Sequence, residues 1–430
     1  KLPMGWVYAF PEEIGSVFTG RTPSKSNNEF YGNKFPLYKP TDLNGDNYNL
    51  KIASDYLSNK GLKDSRFIPK NSILVTCIAS IGKIGFSRLN GSCNQQINAI
   101  VPCKKYIYPE YIYFYALSEE YQEILKSSAS ATTVAILNKS KFNKIPIKLS
   151  PLNEQKRIVA KIEKLFSNLD NSDKYLLHLE KQLKRYRQSV LKNSFDTSWD
   201  KKTLFSVTNK ITDGEHFKPK TEEKGVYFLS AKDIKHNGVD LTNPLYISEE
   251  LAEKALKRCN PEKNDILIVS RGASVGRMCI VDIEELFCLL GSVILIKPNK
   301  NSIDSKYLTY YLKSPEINRI LVNSSGSTAQ QAIYLRDIQK IEILVPSLKK
   351  QKEVVLEIEK HFSIIDKLEA VVQQSIKESK RLRQSILKQA FEGKLVEQDP
   401  NDESASVLLE KIAKAKEEYQ KAQKKQVRKK

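Results

Sequence analysis

KRYRQSVLK at residues 184–192 returns as KRLRQSILK at residues 380–388, an offset of 196 positions. The same offset aligns residues 155–195 with residues 351–391, where 18 of 41 positions are identical without a gap. Identity at this level over a fixed period marks a duplication of a whole structural unit rather than a shared helical composition. The chain therefore contains two copies of one unit, and each copy ends in this stretch.

Each copy of the repeated stretch has the pattern of a long amphipathic helix. Neither Pro nor Gly occurs between Asn153 and Lys192, and apolar residues recur there at heptad spacing among charged and amide residues. The first copy has Ile162, Leu169, Leu176, Leu183 and Val190 at one seam position and Ile158, Leu165, Leu179 and Tyr186 at the other. The second copy has Ile358, Ile365, Val372 and Ile386 at one position and Val354, Leu368 and Leu382 at the other.

The two helices are expected to pair with each other. A helix of about 40 residues extends for roughly 60 Å, which is more than its own arm covers. Because a globular arm lies between the helices in sequence, we expect the pairing to be antiparallel, with approximate twofold symmetry. The alternative is that each helix packs separately on its own arm.

The segments before the helices, which we call the first arm and the second arm, predict an α+β fold. Short alternating runs at residues 34–39 and 72–76 indicate strands, clusters such as residues 43–47 and 90–92 indicate turns, and residues 109–126 indicate one helix. The predicted fold class is thus two α+β domains separated by two long helices that form an antiparallel coiled coil, with a pseudo-twofold internal repeat. The predicted segments are a first domain at 1–150, a central helix at 151–196, a second domain at 197–346, a C-terminal helix at 347–395 and a helical, basic tail at 396–430.

Composition restricts the class of protein. Lys and Arg exceed Asp and Glu by 20 over 430 residues, which favours a polyanionic partner such as nucleic acid. No run of about 18 apolar residues and no apolar signal segment is present, so we expect a cytoplasmic protein. The six cysteines and four histidines show no ligand spacing, which predicts reduced, mostly buried thiols and no metal site.

The order of several motifs resembles the specificity subunit of a type I restriction–modification system. These motifs are LPMGW at residues 2–6, PLNEQKRIV at 151–159, the two RQS-x-LK helix ends, AFEGKLV at 390–396 and DPNDE at 399–403. The resemblance covers the chain to about Ala413. It implies that each arm is a target-recognition domain that reads one half of a bipartite sequence in double-stranded DNA, while the paired helices hold the arms apart.

The resemblance also implies partners. Two methyltransferase subunits that bind S-adenosylmethionine would dock on the helices and arms and methylate an adenine in each half-site, and motor-nuclease subunits that use ATP would join them. No cofactor is expected on this chain itself, and no membrane association. The alternative function is a coiled-coil assembly scaffold whose arms bind proteins; an autonomous methyltransferase is a third hypothesis.

Candidate DNA contacts follow from similarity to the recognition loops of this family. Both arms end in a hydroxyl-rich loop, at residues 127–133 and 323–331, whose small donors and acceptors suit phosphates and base edges. An Arg at a strand end, Arg271, is suited to bidentate contact with guanine, whereas the first arm has residues 77–79 there and no cation. The predicted contacts are Lys39, Ser80, Lys83, Ser128, Ser130, Thr132 and Thr133 in the first arm and His216, Lys218, Lys232, Arg271, Ser274, Arg277, Ser327, Thr328 and Gln330 in the second.

No catalytic constellation is found in the sequence. The NPLY run at residues 243–246 lacks the second proline of a base-gripping loop and has no Gly-rich cofactor loop before it. SIGK at residues 80–83 and SVGR at 274–277 lack the first Gly and the final hydroxyl of a phosphate-binding loop. We therefore expect a recognition subunit without catalysis. The helices and the last 30 residues carry +13 of the net charge of +20, so the arms are only mildly basic.

Overall fold

The computed structural model describes residues 2–44, 47–130, 134–217, 219–323 and 332–427. It divides into two compact units, Lys1–Tyr175 with Ser375–Lys430, and Leu176–Gln374. Two long helices, α6 (Leu152–Asn193) and α11 (Leu348–Phe391), each contribute to both units. They lie within the segments predicted as helices, 151–196 and 347–395.

Unit 1 contains the first arm. Its elements besides parts of α6 and α11 are β1 (Val7–Ala9), α1 (Pro11–Ile14), β2 (Gly15–Thr19), β3 (Tyr31–Tyr38), β4 (Asp55–Leu57), α2 (Asn59–Asp64), β5 (Ile73–Thr76), β6 (Ile84–Phe86), β7 (Ser92–Cys93), β8 (Ile97–Pro102), α3 (Pro109–Ala116), α4 (Glu119–Ser127), α5 (Lys139–Phe142), β9 (Ile147–Leu149) and α12 (Ala405–Val427). A 3₁₀ turn covers Asn28–Phe30. The strands form an antiparallel sheet of order β2-β8-β5-β6, a mixed sheet β4-β3-β7 and the pair β1-β9.

Unit 2 contains the second arm. Its elements are β10 (Lys201–Thr203), β11 (Thr208–Asp213), β12 (Val226–Leu229), β13 (Ile234–Lys235), β14 (Gly238–Val239), β15 (Leu245–Ile247), α7 (Glu249–Arg258), β16 (Ile266–Val269), β17 (Met278–Ile280), β18 (Phe287–Leu289), β19 (Val293–Pro298), α8 (Ser305–Lys313), α9 (Pro315–Asn323), α10 (Leu335–Ile338) and β20 (Glu342–Leu344), with a 3₁₀ turn at Leu204–Val207. Its sheets have the orders β11-β19-β16-β17, β15-β12-β18 and β10-β20, besides the hairpin β13-β14.

The two arms share one topology. Each sheet of the first arm has a counterpart of the same strand order in the second, and the only parallel pairs between described strands, β3-β7 and β12-β18, correspond. Buried aliphatic runs such as Ile73–Thr76 and Ile266–Val269 occupy the same interior position of the four-stranded sheets. The α+β fold class and the duplication predicted from the sequence are confirmed.

A buried glutamine fixes the start of each long helix to its arm. Gln155 accepts from the Tyr108 amide at 2.9 Å and donates to the Ser150 carbonyl at 2.7 Å. Gln351, at the offset of 196, accepts from the Asp304 amide at 2.8 Å and donates to the Pro346 carbonyl at 2.8 Å. Both glutamine side chains are fully buried, and these hydrogen bonds satisfy their polar atoms.

Within each unit, an arginine joins the two long helices. In unit 1, Arg383 contacts Asp170 at 2.8 Å and Asp173 at 2.9 Å. In unit 2, Arg187 contacts Asp366 at 2.5 Å and Glu369 at 3.2 Å. These three residues correspond to Arg383, Asp170 and Asp173 at the offset of 196. Each guanidinium also lies over a phenylalanine, Phe166 or Phe362. Asp170, early in α6, contacts Arg383, late in α11, whereas Arg187, late in α6, contacts Asp366, early in α11. The two helices are therefore antiparallel, as predicted.

The predicted seam is buried mainly at one of its two heptad positions. Ile162, Leu183, Val190, Ile358, Ile365 and Val372 are buried, whereas Tyr186, Leu368 and Leu382 of the second position are 46%, 43% and 52% exposed. Ser379, at the heptad position between Val372 and Ile386, is also buried. The contact between the helices is therefore narrower than a regular coiled-coil seam, because arginine ion pairs replace part of the apolar packing.

The single helix predicted at residues 109–126 is wrong in detail. The structure has two helices there, because Ser118 begins α4 with its hydroxyl accepting from the Tyr121 amide. The second arm breaks at the same place, between α8 and α9, where Pro315 cannot continue the preceding helix.

Candidate nucleic-acid interface

In each arm, a strand end is paired with a segment that lies far away in sequence. Ile78, just after β5, pairs with Ile136, and Arg271, just after β16, pairs with Ala332. Both pairs are antiparallel. We call this surface the paired edge: residues 77–83 with 134–137 in the first arm, and residues 270–277 with 332–336 in the second.

The two paired edges have the same backbone framework. The Leu137 amide donates to the Cys77 carbonyl, and the Ile333 amide donates to the Ser270 carbonyl. Left-handed residues follow at equivalent places, Ala79 (φ 61°) and Gly82 (φ 91°) in the first arm and Gly272 (φ 91°) and Gly276 (φ 81°) in the second. Ile78 and Arg271 therefore occupy matching positions, as the sequence alignment predicted.

The paired edge of the second arm presents cations and an aromatic ring to solvent. Arg271 is exposed and has no side-chain hydrogen bond or ion pair with any other described residue. Arg336 has a side chain that is 79% exposed and lies over the ring of Tyr334, 5.4 Å from its centroid. Together with Asp213 and Ser270 these residues line an open cavity of about 430 Å³. The arrangement suits the edge of a base and a phosphate.

His216 is held beside this cavity by a buried carboxylate. Asp213 at the end of β11 is 8% exposed and contacts Arg258 at 2.6 Å and His216 at 3.2 Å. Asp213 itself lines the cavity, so it orients His216 and offsets the positive charge of Arg258. In the first arm Thr19 is the counterpart of Asp213, and it donates to Asn98 at 2.7 Å instead.

Three other predicted residues of the second arm have partners within the chain. Arg277 donates to the Ala231 carbonyl at 2.7 Å and to the Ser274 hydroxyl at 2.9 Å. Lys232 donates to the Asn243 carbonyl at 3.2 Å. Arg277 and Ser274 thus brace the turn that follows Arg271, while Lys232 is exposed at a separate turn.

The predicted lysines of the first arm are also engaged. Lys39 forms an ion pair with Asp55, and Lys83 donates to the Asn44 side chain at 2.6 Å. Ser128 caps the end of α4 with its amide, and the Ser130 hydroxyl donates to the Ile136 carbonyl at 3.1 Å. Ser80 is exposed at the turn of the paired edge, where its carbonyl accepts from Thr76.

Six predicted residues lie outside the described residues. They are Thr132, Thr133, Lys218, Ser327, Thr328 and Gln330.

Sequence reasoning missed four exposed residues of the paired edges. Tyr334 and Arg336 in the second arm and Val134 and Ile136 in the first lie directly after the hydroxyl-rich loops. Tyr334, Val134 and Ile136 are 45%, 48% and 42% exposed. The available signal was their alternation with the buried residues Leu137 and Ile333, which marks one exposed face.

The described residues contain no group of three or more His, Cys, Asp or Glu side chains placed to hold a metal ion. All six cysteines are free, and burial raises the pKa of Cys77, Cys259 and Cys279 to about 12. These thiols are protonated and poor nucleophiles at neutral pH. Among the described helices, none is long and apolar enough to cross a membrane.

The fold and the paired edges define a class of protein, one with two duplicated α+β domains on a shared antiparallel helix pair, in which equivalent surfaces carry different side chains. The family described as Type I restriction modification DNA specificity domain matches residues 3–181 and 197–378. The chain belongs to this family and carries two copies of its domain.

Relatives and solved structures agree with this assignment. The EcoKI specificity subunit of Escherichia coli K12 is 24% identical over 96% of both chains, and the EcoBI specificity subunit of Escherichia coli is 29% identical over 70% of both chains. A chain from a structure that describes complex assembly and conformational transition of the type I R-M system has a TM-score of 0.75 at 21% identity, over 92% of this chain and 99% of that one. The HsdS subunit from Thermoanaerobacter tengcongensis has a TM-score of 0.54 at 20% identity, over 92% and 98%. The likeness to the solved structures shows the shared fold. With the family match, the chain is a specificity subunit of a type I restriction–modification system with two DNA-recognition domains.

Proposed function

We propose that this chain reads a bipartite DNA target with its two paired edges and performs no chemistry itself. The observation that carries the proposal is the matched pair of edges: one backbone framework, duplicated, presents Arg271, Tyr334 and Arg336 in the second arm and Ile78, Val134 and Ile136 in the first. Equivalent frameworks with unlike side chains are suited to different half-sites.

Within the second half-site, Arg271 is the residue best placed to read a guanine. Its exposed guanidinium has no competing partner among the described residues. Arg277 in the same arm and Lys39 and Lys83 in the first arm are, in contrast, bonded to other groups of the chain. A guanidinium fits O6 and N7 of guanine with two parallel hydrogen bonds. Arg336, His216 and the hydroxyl-rich loop would then contact phosphates and neighbouring bases, while Arg277 and Ser274 position the turn.

The partners in this proposal are two copies of one methyltransferase subunit, which would carry S-adenosylmethionine. Each unit of the chain exposes an equivalent apolar pair on its long helices: Tyr175 and Leu382 in unit 1, and Val371 and Tyr186 in unit 2. The offset of 196 relates Tyr175 to Val371 and Tyr186 to Leu382. Exposed apolar residues at equivalent positions of a duplicated scaffold are suited to two copies of the same partner. Motor-nuclease subunits that use ATP would join this assembly.

The proposal is tested by selecting duplexes from a random pool with the chain bound to its methyltransferase partner. We expect enrichment of duplexes with two different half-sites at a fixed gap, and adenine methylation inside each half-site. Enrichment of no sequence, with complexes that form equally well with and without duplex, would reject DNA recognition and favour an assembly scaffold.

A second experiment tests the role of the helices. Inserting four residues into one long helix adds about 6 Å, which corresponds to one to two base pairs at about 3.4 Å each. The gap between half-sites is expected to widen by that amount while both half-site sequences stay the same. A duplex selection that returns the original gap would reject the helices as the spacer.

A further inference from the structure

The paired edge of the first arm is an aliphatic surface at the place where the second arm presents cations. Val134 and Ile136 are 48% and 42% exposed, and Ile78 is partly exposed. Their neighbours Cys77 and Leu137 are buried. The first arm therefore exposes branched aliphatic side chains here, with Ile78 at the backbone position that carries Arg271 in the second arm.

Two of these side chains lie on one face. Ile78 and Ile136 are an antiparallel pair, and paired residues of adjacent strands project to the same side. Val134 lies at a bend two residues before Ile136 and is 48% exposed. Cys77 and Leu137 project to the opposite side, into the core of the first arm. Ile78 and Ile136 thus form a small aliphatic surface, and the exposed Val134 lies two residues from it in sequence.

Charge and polarity around this surface favour DNA as its occupant. The exposed lysines Lys126 and Lys141 lie on α4 and α5, the helices on either side of the segment that carries Val134 and Ile136. The hydroxyl of Ser130 and the exposed Ser80 adjoin the same edge. A patch of three aliphatic side chains is also much smaller than a stable protein–protein interface requires.

From this juxtaposition we infer that the first arm reads the 5-methyl group of a thymine through Ile78, Val134 and Ile136. The inference rests on the proposed function and names what its first half-site contains. The 5-methyl group is the apolar feature of the major-groove edges of the bases, and aliphatic side chains discriminate it by van der Waals contact. Other base edges would leave their donors and acceptors facing hydrocarbon without hydrogen bonds, which is unfavourable. 5-Methylcytosine offers the same methyl group.

The test uses the chain bound to its methyltransferase partner and duplexes in which deoxyuridine replaces each thymine of the target in turn. The first half-site is identified as the one whose base preferences Arg271→Ala leaves unchanged. At one position of that half-site, deoxyuridine is expected to weaken binding about fourfold, which corresponds to the roughly 0.8 kcal/mol of one buried methyl group. Introducing 5-methylcytosine opposite guanine at that position is expected to bind better than cytosine.

Variants make the assignment specific. Ile136→Ala should reduce the thymine-to-deoxyuridine ratio toward one, and Ile52→Ala, which truncates another exposed isoleucine of the first arm, should leave the ratio unchanged. Bipartite binding that is indifferent to deoxyuridine at every position of the first half-site, or a ratio that persists in Ile136→Ala, would overturn the inference and leave the proposed function intact. Failure to prefer any bipartite duplex would overturn both. Retained binding of the second half-site shows that each variant is folded.

Discussion

The two arms agree where they are buried and differ where they are exposed. Sheet order, the glutamine at the start of each long helix and the left-handed turn of the paired edge all recur. After the buried strand of each arm, the equivalent position holds the partly exposed Ile78 in the first arm and the exposed Arg271 in the second. The comparison teaches that the duplicated framework holds a backbone position constant while the side chain there is free to change, which is what reading two different half-sites requires.

A second difference lies beside the paired edge. The first arm has a neutral hydrogen bond between Thr19 and Asn98, whereas the second buries Asp213 between Arg258 and His216. Next to β11 in the second arm, a carboxylate thus holds His216 and offsets the charge of Arg258. The first arm has the uncharged Ile78 at the position of Arg271, and its counterpart of Asp213, Thr19, is also uncharged.

The largest expected effect tests what the arms share. Gln155→Leu and Gln351→Leu should each lower the free energy of unfolding by about 2–4 kcal/mol, because each leaves at least two backbone groups beside a buried side chain without that partner. Urea titration followed by circular dichroism measures the loss, with the exposed Gln182→Leu as control. A loss in one variant alone would show that the two helix starts are not equivalent.

The next effect tests how the arms differ. Arg271→Ala should weaken binding of the full target by about 1–3 kcal/mol, through loss of discrimination at one guanine. Fluorescence anisotropy with guanine or 7-deazaguanine at that position should show that the variant no longer distinguishes them. Arg277→Ala, which removes a braced arginine from the same turn, should weaken binding without changing which base is preferred. Altered preference in the first half-site would contradict the assignment of Arg271.

The arginine ion pairs between the helices test the pseudo-twofold symmetry. Arg187→Glu and Arg383→Glu should destabilise the chain by similar amounts, about 1–2 kcal/mol each, since each places three acidic groups together on a half-buried surface. The exposed neighbours Arg185→Glu and Arg381→Glu are matched controls. Thermal unfolding measures the difference, and an effect confined to one site would reject equivalent helix contacts in the two units.

The smallest effect concerns pH at the start of α6. Burial raises the pKa of Glu154, whose carboxylate accepts from the Trp6 indole at 2.9 Å, above its usual 4.5. The folded state therefore binds this proton more tightly than the unfolded state, so its contribution to stability is present at low pH and is lost as pH rises through the folded-state pKa. Glu154→Gln should remove that dependence in unfolding experiments across this range. Lys350→Gln, at the corresponding position of α11, should leave the pH profile unchanged.

Much of the fold was predictable because it is encoded in local patterns. The offset of 196 revealed the duplication, and the heptad pattern located α6 and α11 to within a few residues of their ends. The break at Ser118 was missed because a capping serine inside an aromatic-rich run resembles an exposed helix position. The exposure of Tyr186, Leu368 and Leu382 was missed because the arginine ion pairs between the helices depend on register, which the sequence of one helix does not define.

The candidate site was predictable only in part. The alignment of Ile78 with Arg271 was visible in the sequence, and the structure places both at matching positions. The pairing of Arg271 with Ala332 spans 61 residues, so nothing local indicated that Tyr334 and Arg336 would join it. Nor does sequence show which cations are engaged: Lys39 and Lys83 have partners that are distant in the chain.

The central claim is that two equivalent edges read two different half-sites of one duplex. The most direct measurement is the base preference at every target position for the chain with its methyltransferase partner, compared with Arg271→Ala and Ile136→Ala. We predict that Arg271→Ala changes the profile in one half-site and Ile136→Ala changes it in the other. Changes by both variants in the same half-site, or in neither, would contradict the account.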